Sequence, residues 1–340
     1  MKTPTLITLS LLVTCCVHAQ KSPSADAING VKGVKQEAVQ SIKKIARPTV
    51  VPVTPQPATG VPQTVPPPHA VQGANKAGGI QATRTHYTGH SFAGAAPTWL
   101  VLLAKQAGIT EYENLGRQAL GGSRVIDHWK LAEARNQAKA ALIKGGVDVL
   151  TLSPNMQMPD EGIDLFVDLA VKHNPNIRVL VQGSWMTWDG LGKDGITNAE
   201  RDARPVSEIR DRTAQHLEAI RTQLRATNAR IGREVCVLIP CGTAVVRLRE
   251  LIAEGKLPGF ERPSQLFADD LGHACAAVLH LNAYLYFVAI FHHDPRGLPG
   301  LGTNGWTKTQ GTPHPELKAL LQKIAWETML AEPMSGIQAP

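Results

Sequence analysis

From residue 82 onward the chain alternates between short apolar runs and stretches whose apolar residues recur with a helical period. Strand-like runs fall at 85–88, 112–115, 147–152, 177–182 and 234–239. Helical stretches lie between them at about 97–108, 126–145, 160–173 and 207–230, where Ile209, Leu217, Ile220 and Leu224 keep one face. Residues 274–291 form an apolar run too long for a strand, and 316–330 carry Leu317, Leu320, Leu321, Ile324 and Met329 on one stripe. Strands that alternate with helices require crossover connections, which predicts a parallel sheet covered on both faces. No internal repeat interrupts this order.

Before residue 82 the pattern is different. Residues 1–19 combine Lys2, an apolar stretch over 6–13 and a small-residue end at Val17-His18-Ala19, the layout of an export leader. This predicts a periplasmic or extracellular protein. The lipoprotein alternative would use Cys15, but Thr14 suits that processing poorly. Residues 20–80 hold no core: Pro48, Pro52, Pro55, Pro57, Pro62, Pro66, Pro67 and Pro68 predict an extended linker. Upstream of them Val31, Val34, Ala38, Ile42 and Ile45 oppose Lys32, Lys35, Lys43 and Lys44, a basic amphipathic segment suited to weak contact with an anionic surface.

The charge follows the same division. Of the formal +7, the segment 20–80 carries +5, and Lys2 leaves about +1 for the folded part at 81–335. A nearly neutral folded domain gives no footprint for nucleic acid. Cys236, Cys241 and Cys275 remain after leader removal; with the first two placed on one strand, they stand too far apart to bridge.

In a parallel sheet of this kind ligands bind outside the carboxyl ends of the strands. The first strand runs into Gly89-His90-Ser91-Phe92, a tight turn with a serine at its apex and a helix after it. The second is followed by Gly121-Gly122-Ser123 and the third by Ser153-Pro154-Asn155. The fourth leads to Gly183-Ser184-Trp185-Met186-Thr187-Trp188, and the fifth to Pro240-Cys241-Gly242. Asp270-Leu271-Gly272-His273 then opens the long apolar helix. An aspartate three residues before a histidine in a first helical turn lets the carboxylate fix the imidazole tautomer. Asp269, at the i to i+4 spacing, is the alternative partner.

In these blocks the chain resembles the SGNH hydrolases, or GDSL-like esterases, over roughly residues 82–300. The blocks matched are Gly89-His90-Ser91-Phe92, Gly121 or Gly122, Ser153-Pro154-Asn155-Met156, and Asp270-x-x-His273. The resemblance implies a flavodoxin-like three-layer α/β/α sandwich with about five parallel strands. It also implies ester hydrolysis with Ser91 as nucleophile, His273 as base and Asp270 orienting it. The oxyanion would be held by the N–H groups of Ser91 and Gly121 and the amide of Asn155. Two positions depart from the family pattern: His90 stands where an aspartate is usual, and the third block lacks the Gly and the final Asp.

The chemistry so expected needs no metal and no organic cofactor. Export, a long polar linker and the rim residues Trp185 and Trp188, as stacking platforms for sugar rings, suggest an acyl ester on carbohydrate, most simply acetyl. The glycine-rich segment 187–207 is long for a connection and suggests a cover over the site. Two other readings compete. Gly89-His90-Ser91-Phe92-Ala93 also resembles the nucleophile elbow of an α/β-hydrolase esterase or lipase, which would place several strands before the serine. A catalytically inactive glycan-binding member of the fold is the other. The run Gly300-Leu301-Gly302-Thr303-Asn304-Gly305 matches a dinucleotide fingerprint but follows no strand. His292-His293-Asp294 lacks metal-ligand spacing.

Overall fold

The structure is a computed structural model, and it describes residues 83–94, 96–192, 195–306 and 313–338. The expected leader and the basic and Pro-rich segments lie outside the described residues. Five strands form one sheet: β1 (Thr83–Gly89), β2 (Tyr112–Ala119), β3 (Val149–Ser153), β4 (Arg178–Gln182) and β5 (Cys236–Ile239). They lie in the order β2-β1-β3-β4-β5, and every neighbouring pair is parallel. This is the doubly wound, flavodoxin-like order, in which the chain reverses direction across the sheet between β1 and β3.

The strands read as their positions require. β3 and β5 are short and almost wholly buried because helices cover both of their faces; β5 is wholly apolar, and β3 adds the buried Thr151 and Ser153 to three apolar residues. β2 is an edge strand and largely exposed; it runs on to Ala119, well past the strand-like run ending at residue 115. Gly116 absorbs the extension at φ 122°, just after an irregularity in the β1–β2 register.

Helices α1 (Ala96–Gln106), α2 (Val125–Trp129), α3 (Gln137–Lys144) and α4 (Glu161–His173) follow the first three strands. After β4 come α5 (Asn198–Ala203) and α6 (Val206–Ile231), and after β5 come α7 (Cys241–Ala253), α8 (Ala276–Phe291) and α9 (Leu317–Ala331). Two cores result, one on each face. Tyr87, Val149 and Leu180 pack with α1, α7, α8 and α9. Leu150, Leu152, Val179 and Val181 pack with α2, α3, α4 and α6. α8 is buried along its whole length between the sheet, α1 and α9, which explains why it is apolar on every side. Among the described residues no helix is long and apolar enough to cross a membrane.

Two elements differ from the expectation. The helix expected over 126–145 is two helices, because Asn136 breaks it. Its side chain accepts the N–H of Lys139 as the cap of α3 and donates to the carbonyl of His128. α7 begins at Cys241, directly after Pro240, where the sequence pattern places the end of a strand and no helix. There the glycine serves close packing: a Cβ on Gly242 would lie 2.8 Å from the Ser184 carbonyl oxygen. Cys241 therefore begins a helix and is not on a strand with Cys236; Cys236, Cys241 and Cys275 are free and buried.

Candidate active site

The register of the sheet assembles the site. Gly89, the last residue of β1, pairs with Ala119 of β2 and Ser153 of β3. The turns after these three strands therefore leave the sheet side by side at the β1–β3 reversal. Gly89 has no room for a side chain, since a Cβ there would lie 2.5 Å from the Cβ of Ser153.

Ser91 begins a short 3₁₀ turn, Ser91–Ala93, and is exposed. His90 caps that turn. Its Nδ1 accepts the N–H of Phe92 (3.2 Å), so the ring proton sits on Nε2 and points to the Pro154 carbonyl (3.1 Å). Ser153 Oγ lies 3.3 Å from the same nitrogen. His90 thus ties the Ser91 turn to the end of β3 as a neutral ring. Burial lowers its pKa, the bond to Pro154 opposes that, and nearby His273 lowers it further. Beneath the turn, the Phe92 carbonyl accepts from Gln182 (3.1 Å) and Asn282 (3.3 Å). Gln182 is fixed in turn by the Tyr286 hydroxyl (2.6 Å), and Asn282 by the Cys241 thiol (3.0 Å). A buried polar network on β4, α7 and α8 therefore sets the orientation of Ser91.

His273 Nε2 lies 2.8 Å from Ser91 Oγ. Its Nδ1 lies 2.5 Å from a carboxylate oxygen, but that oxygen belongs to Asp269, not to Asp270. A carboxylate only accepts, so the proton is on Nδ1, and Nε2 is left to accept from the serine hydroxyl. The expectation for Asp270 rested on a helical first turn, and no helix exists there. Residues 267–274 form a hairpin-like loop, with a bridge between Phe267 and Ala274 and with Gly272 at φ 105°. In this loop Asp269 Oδ1 accepts the N–H groups of Gly272 and His273, both at 3.0 Å, while Oδ2 takes the imidazole. The Asp270 carboxylate lies instead beside Gly195. Partial burial pushes the Asp269 pKa up, but the hydrogen bonds from the His273 ring and from these two N–H groups outweigh it and hold the pKa below its ordinary value.

The glycine turn after β2 is held from several sides. The Leu120 N–H donates to the Gly89 carbonyl (3.3 Å), and Ser123 Oγ donates to the Leu120 carbonyl (2.8 Å). His128 Nε2 then donates to Ser123 Oγ (2.8 Å), and Gln118 donates to His128 Nδ1 (3.2 Å). This histidine is fully buried, and burial lowers its pKa to about 4. α2 is fixed at its start by the buried Asp160 carboxylate, which accepts the N–H groups of Val125 (2.7 Å) and Ile126 (3.0 Å). Asn155 reaches across from β3, and its Nδ2 donates to the Gly122 carbonyl at 2.7 Å. Its Oδ1 accepts the Met156 N–H (2.6 Å), which fixes the amide orientation. One Nδ2 proton remains. The backbone N–H groups of Ser91, Gly121 and Gly122 have no hydrogen-bond acceptor among the described residues. These are the donors that an oxyanion next to Ser91 requires.

Trp185 is no stacking platform for a ligand. It is buried, stacks on Phe92 with ring centroids 4.8 Å apart, and donates Nε1–H to the Gly272 carbonyl at 2.8 Å. Trp188 is half-buried, at φ 44°, and its N–H donates to the Leu271 carbonyl. Several residues of the site carry no sequence signal of their own. Gln182 reads as the end of a strand, and Asn282 reads only as an interruption of an apolar helix. Among the described residues no group of three or more His, Cys, Asp or Glu side chains is arranged to hold a metal ion.

No protein-family model matches the chain, and no curated protein matches it. Among solved structures the chain is similar to a DUF4886 family protein from Bacteroides uniformis, at 13% identity and a TM-score of 0.49, over 73% of this chain and 95% of that one. It is similar to a protein from Slackia heliotrinireducens described provisionally as an SGNH hydrolase, at 18% identity and a TM-score of 0.39, over 62% and 100%. A provisionally described GDSL-like lipase from Parabacteroides merdae matches at 10% identity and a TM-score of 0.37, over 62% and 96%. At these identities and TM-scores, the functional reading rests on the geometry of the site.

Proposed function

We propose that this chain is a serine ester hydrolase with Ser91 as nucleophile, His273 as general base and Asp269 as the group that orients it. One observation carries the reading: Ser91 Oγ, His273 and Asp269 form a continuous relay of 2.8 and 2.5 Å. That relay stands beside unpaired N–H groups at the reversal point of a doubly wound sheet.

His273 Nε2 takes the proton of Ser91 Oγ as the oxygen attacks an ester carbonyl. The Asp269 carboxylate stabilises the imidazolium that forms. The oxyanion of the tetrahedral intermediate lies against the N–H groups of Ser91 and Gly121 and the free Nδ2 proton of Asn155, with Gly122 as a further donor. His273 then protonates the leaving alcohol. Water, deprotonated by the same nitrogen, releases the acid from Ser91.

For the substrate we propose a short acyl ester, acetyl on carbohydrate, acted on after export by the leader at 1–19. Trp188 is the rim aromatic left to contact a sugar, because Trp185 is buried. The elbow reading expects several strands before the serine, whereas among the described residues Ser91 follows the first strand. The test is release of acid from aryl acetate, aryl butyrate and acetylated xylan, with Ser91→Ala as the blank. Turnover that disappears in Ser91→Ala is expected. Binding of the glycan without any ester turnover would instead favour the inactive glycan-binding reading.

A further inference from the structure

The segment 187–207 reads in sequence as a cover for the site, but in the structure this segment, with Trp185 before it, bonds to the loop that carries Asp269 and His273. Four consecutive carbonyls of that loop each accept a hydrogen bond from it. Arg201 Nη1 donates to the Asp269 carbonyl (3.0 Å) and Arg201 Nη2 to the Asp270 carbonyl (2.6 Å). The Trp188 N–H donates to the Leu271 carbonyl (3.0 Å) and Trp185 Nε1 to that of Gly272 (2.8 Å). The loop closes its own base through Ala268 N–H to the His273 carbonyl (2.7 Å) and Cys275 N–H to that of Leu266 (2.9 Å). Its outer edge depends on the clamp.

Arg201 is fully buried, which is unusual for an arginine and demands a partner. Its Nε lies 3.5 Å from Asp189 Oδ1, and Arg249 Nη2 takes the same oxygen at 2.6 Å. Both guanidinium groups lie over the Phe267 ring, at 4.7 and 5.3 Å from its centroid. Trp188 and Asp189 are held at φ 44° and 52°, a left-handed conformation that such residues seldom adopt. Strained backbone of this kind persists only where its surroundings fix it, here by the pairing of Asp189 with Arg249. A purely structural arginine could anchor α5 anywhere along its neighbours. This one spends both terminal nitrogens on the carbonyl of the orienting aspartate and on the next carbonyl.

We infer that Arg201 is a positioning residue of the acid–histidine loop, and that Trp185, Trp188 and Arg201 form the clamp presenting Asp269 and His273 to Ser91. The inference rests on the hydrolase reading. A loop released from the clamp still folds, but its carboxylate no longer meets Nδ1 at the distance that fixes the tautomer.

Arg201→Met removes both donors and leaves Asp189 paired with Arg249, so the fold keeps a matched buried pair. It is expected to lower kcat on aryl acetate on the order of 10–100-fold with KM within about threefold. The Nδ1 proton of His273 is expected to move upfield in the proton NMR spectrum. Arg201→Lys, which can return one donor, should recover part of kcat. Trp185→Phe removes one clamp donor without charge and should lower kcat about 3–10-fold. Asp202→Ala cuts the bonds of α5 to the Ser264 N–H and hydroxyl (2.7 and 2.9 Å), so it should lower Tm and spare kcat. A kcat within twofold of wild type with an unmoved resonance in Arg201→Met would overturn the inference, as would an equal kcat loss in Asp202→Ala. If Arg201→Met does not fold, unchanged kcat in Arg201→Lys and Trp185→Phe overturns it. If the wild type hydrolyses no ester, the hydrolase reading fails, and the resonance alone still decides whether the clamp fixes the pair.

Discussion

Replacing Asp269 by Asn separates the two carboxylates that sequence spacing leaves in competition. The Asn side-chain oxygen can still accept the N–H groups of Gly272 and His273, as Oδ1 does at 3.0 Å, so the loop keeps its turn. The other atom, at the position 2.5 Å from His273 Nδ1, becomes an NH₂ donor facing an N–H donor. The imidazole escapes the clash by moving its proton to Nε2. That nitrogen then faces Ser91 Oγ as a donor and can no longer take the serine proton. A wrong tautomer in an otherwise intact site lowers kcat on the order of 10³–10⁴, or roughly 4–5.5 kcal/mol of transition-state stabilisation. Asp270→Asn changes a carboxylate that lies beside Gly195 and should leave kcat within about threefold. The assay is steady-state hydrolysis of aryl acetate by both variants between pH 6 and 9, with Tm as the control for folding. A damaged Asp270→Asn beside an Asp269→Asn within tenfold of wild type would refute the reasoning.

Two further outcomes follow from the site and its supports. Asn155→Ala deletes one oxyanion donor and frees the Gly122 carbonyl, so kcat should fall on the order of 10²–10³, roughly 3–4 kcal/mol, with KM little changed; near wild-type turnover would remove Asn155 from the site. Burial lowers the pKa of His86, His128 and His216 to about 4 from an unfolded value of 6.5, so the unfolded chain binds protons that the folded one does not. Stability is therefore full above pH 6.5 and is lost as pH falls toward 4. Between pH 7 and 4.5 each of these histidines contributes on the order of 2–3 kcal/mol to that loss, and a urea midpoint unchanged over this range would contradict it.

β3, β4 and β5 were legible because parallel strands buried on both faces are mostly apolar and are separated by helices. β1, which buries Thr85, His86 and Thr88, was legible as a β-prone run ahead of a glycine turn. Ser91, His273 and Asn155 were legible because they follow strand ends or stand near a helix start. The choice between Asp269 and Asp270 was not, since i to i+3 and i to i+4 fit a helix equally and the element is a loop reversing at Gly272. Trp185 reads as a rim aromatic, yet a stacking partner at Phe92 and an acceptor at Gly272 bury it. Nothing in the sequence marks Arg201 and Arg249 as buried. Their burial depends on Asp189 and Phe267, which approach only in the folded chain. Gly242 gives no sign of the helix it opens, because a glycine needed for close packing and one needed for φ are the same letter.

The central claim is that Ser91 becomes covalently acylated and that His273 and Asp269 make it reactive. Mass spectrometry of the protein treated with an aryl fluorophosphonate tests this most directly. One adduct per chain is expected, located on the peptide containing Ser91. It should be absent in Ser91→Ala and form on the order of 10³-fold more slowly in His273→Ala and Asp269→Asn. An unlabelled Ser91, or labelling at the same rate in the wild type and His273→Ala, would contradict the account.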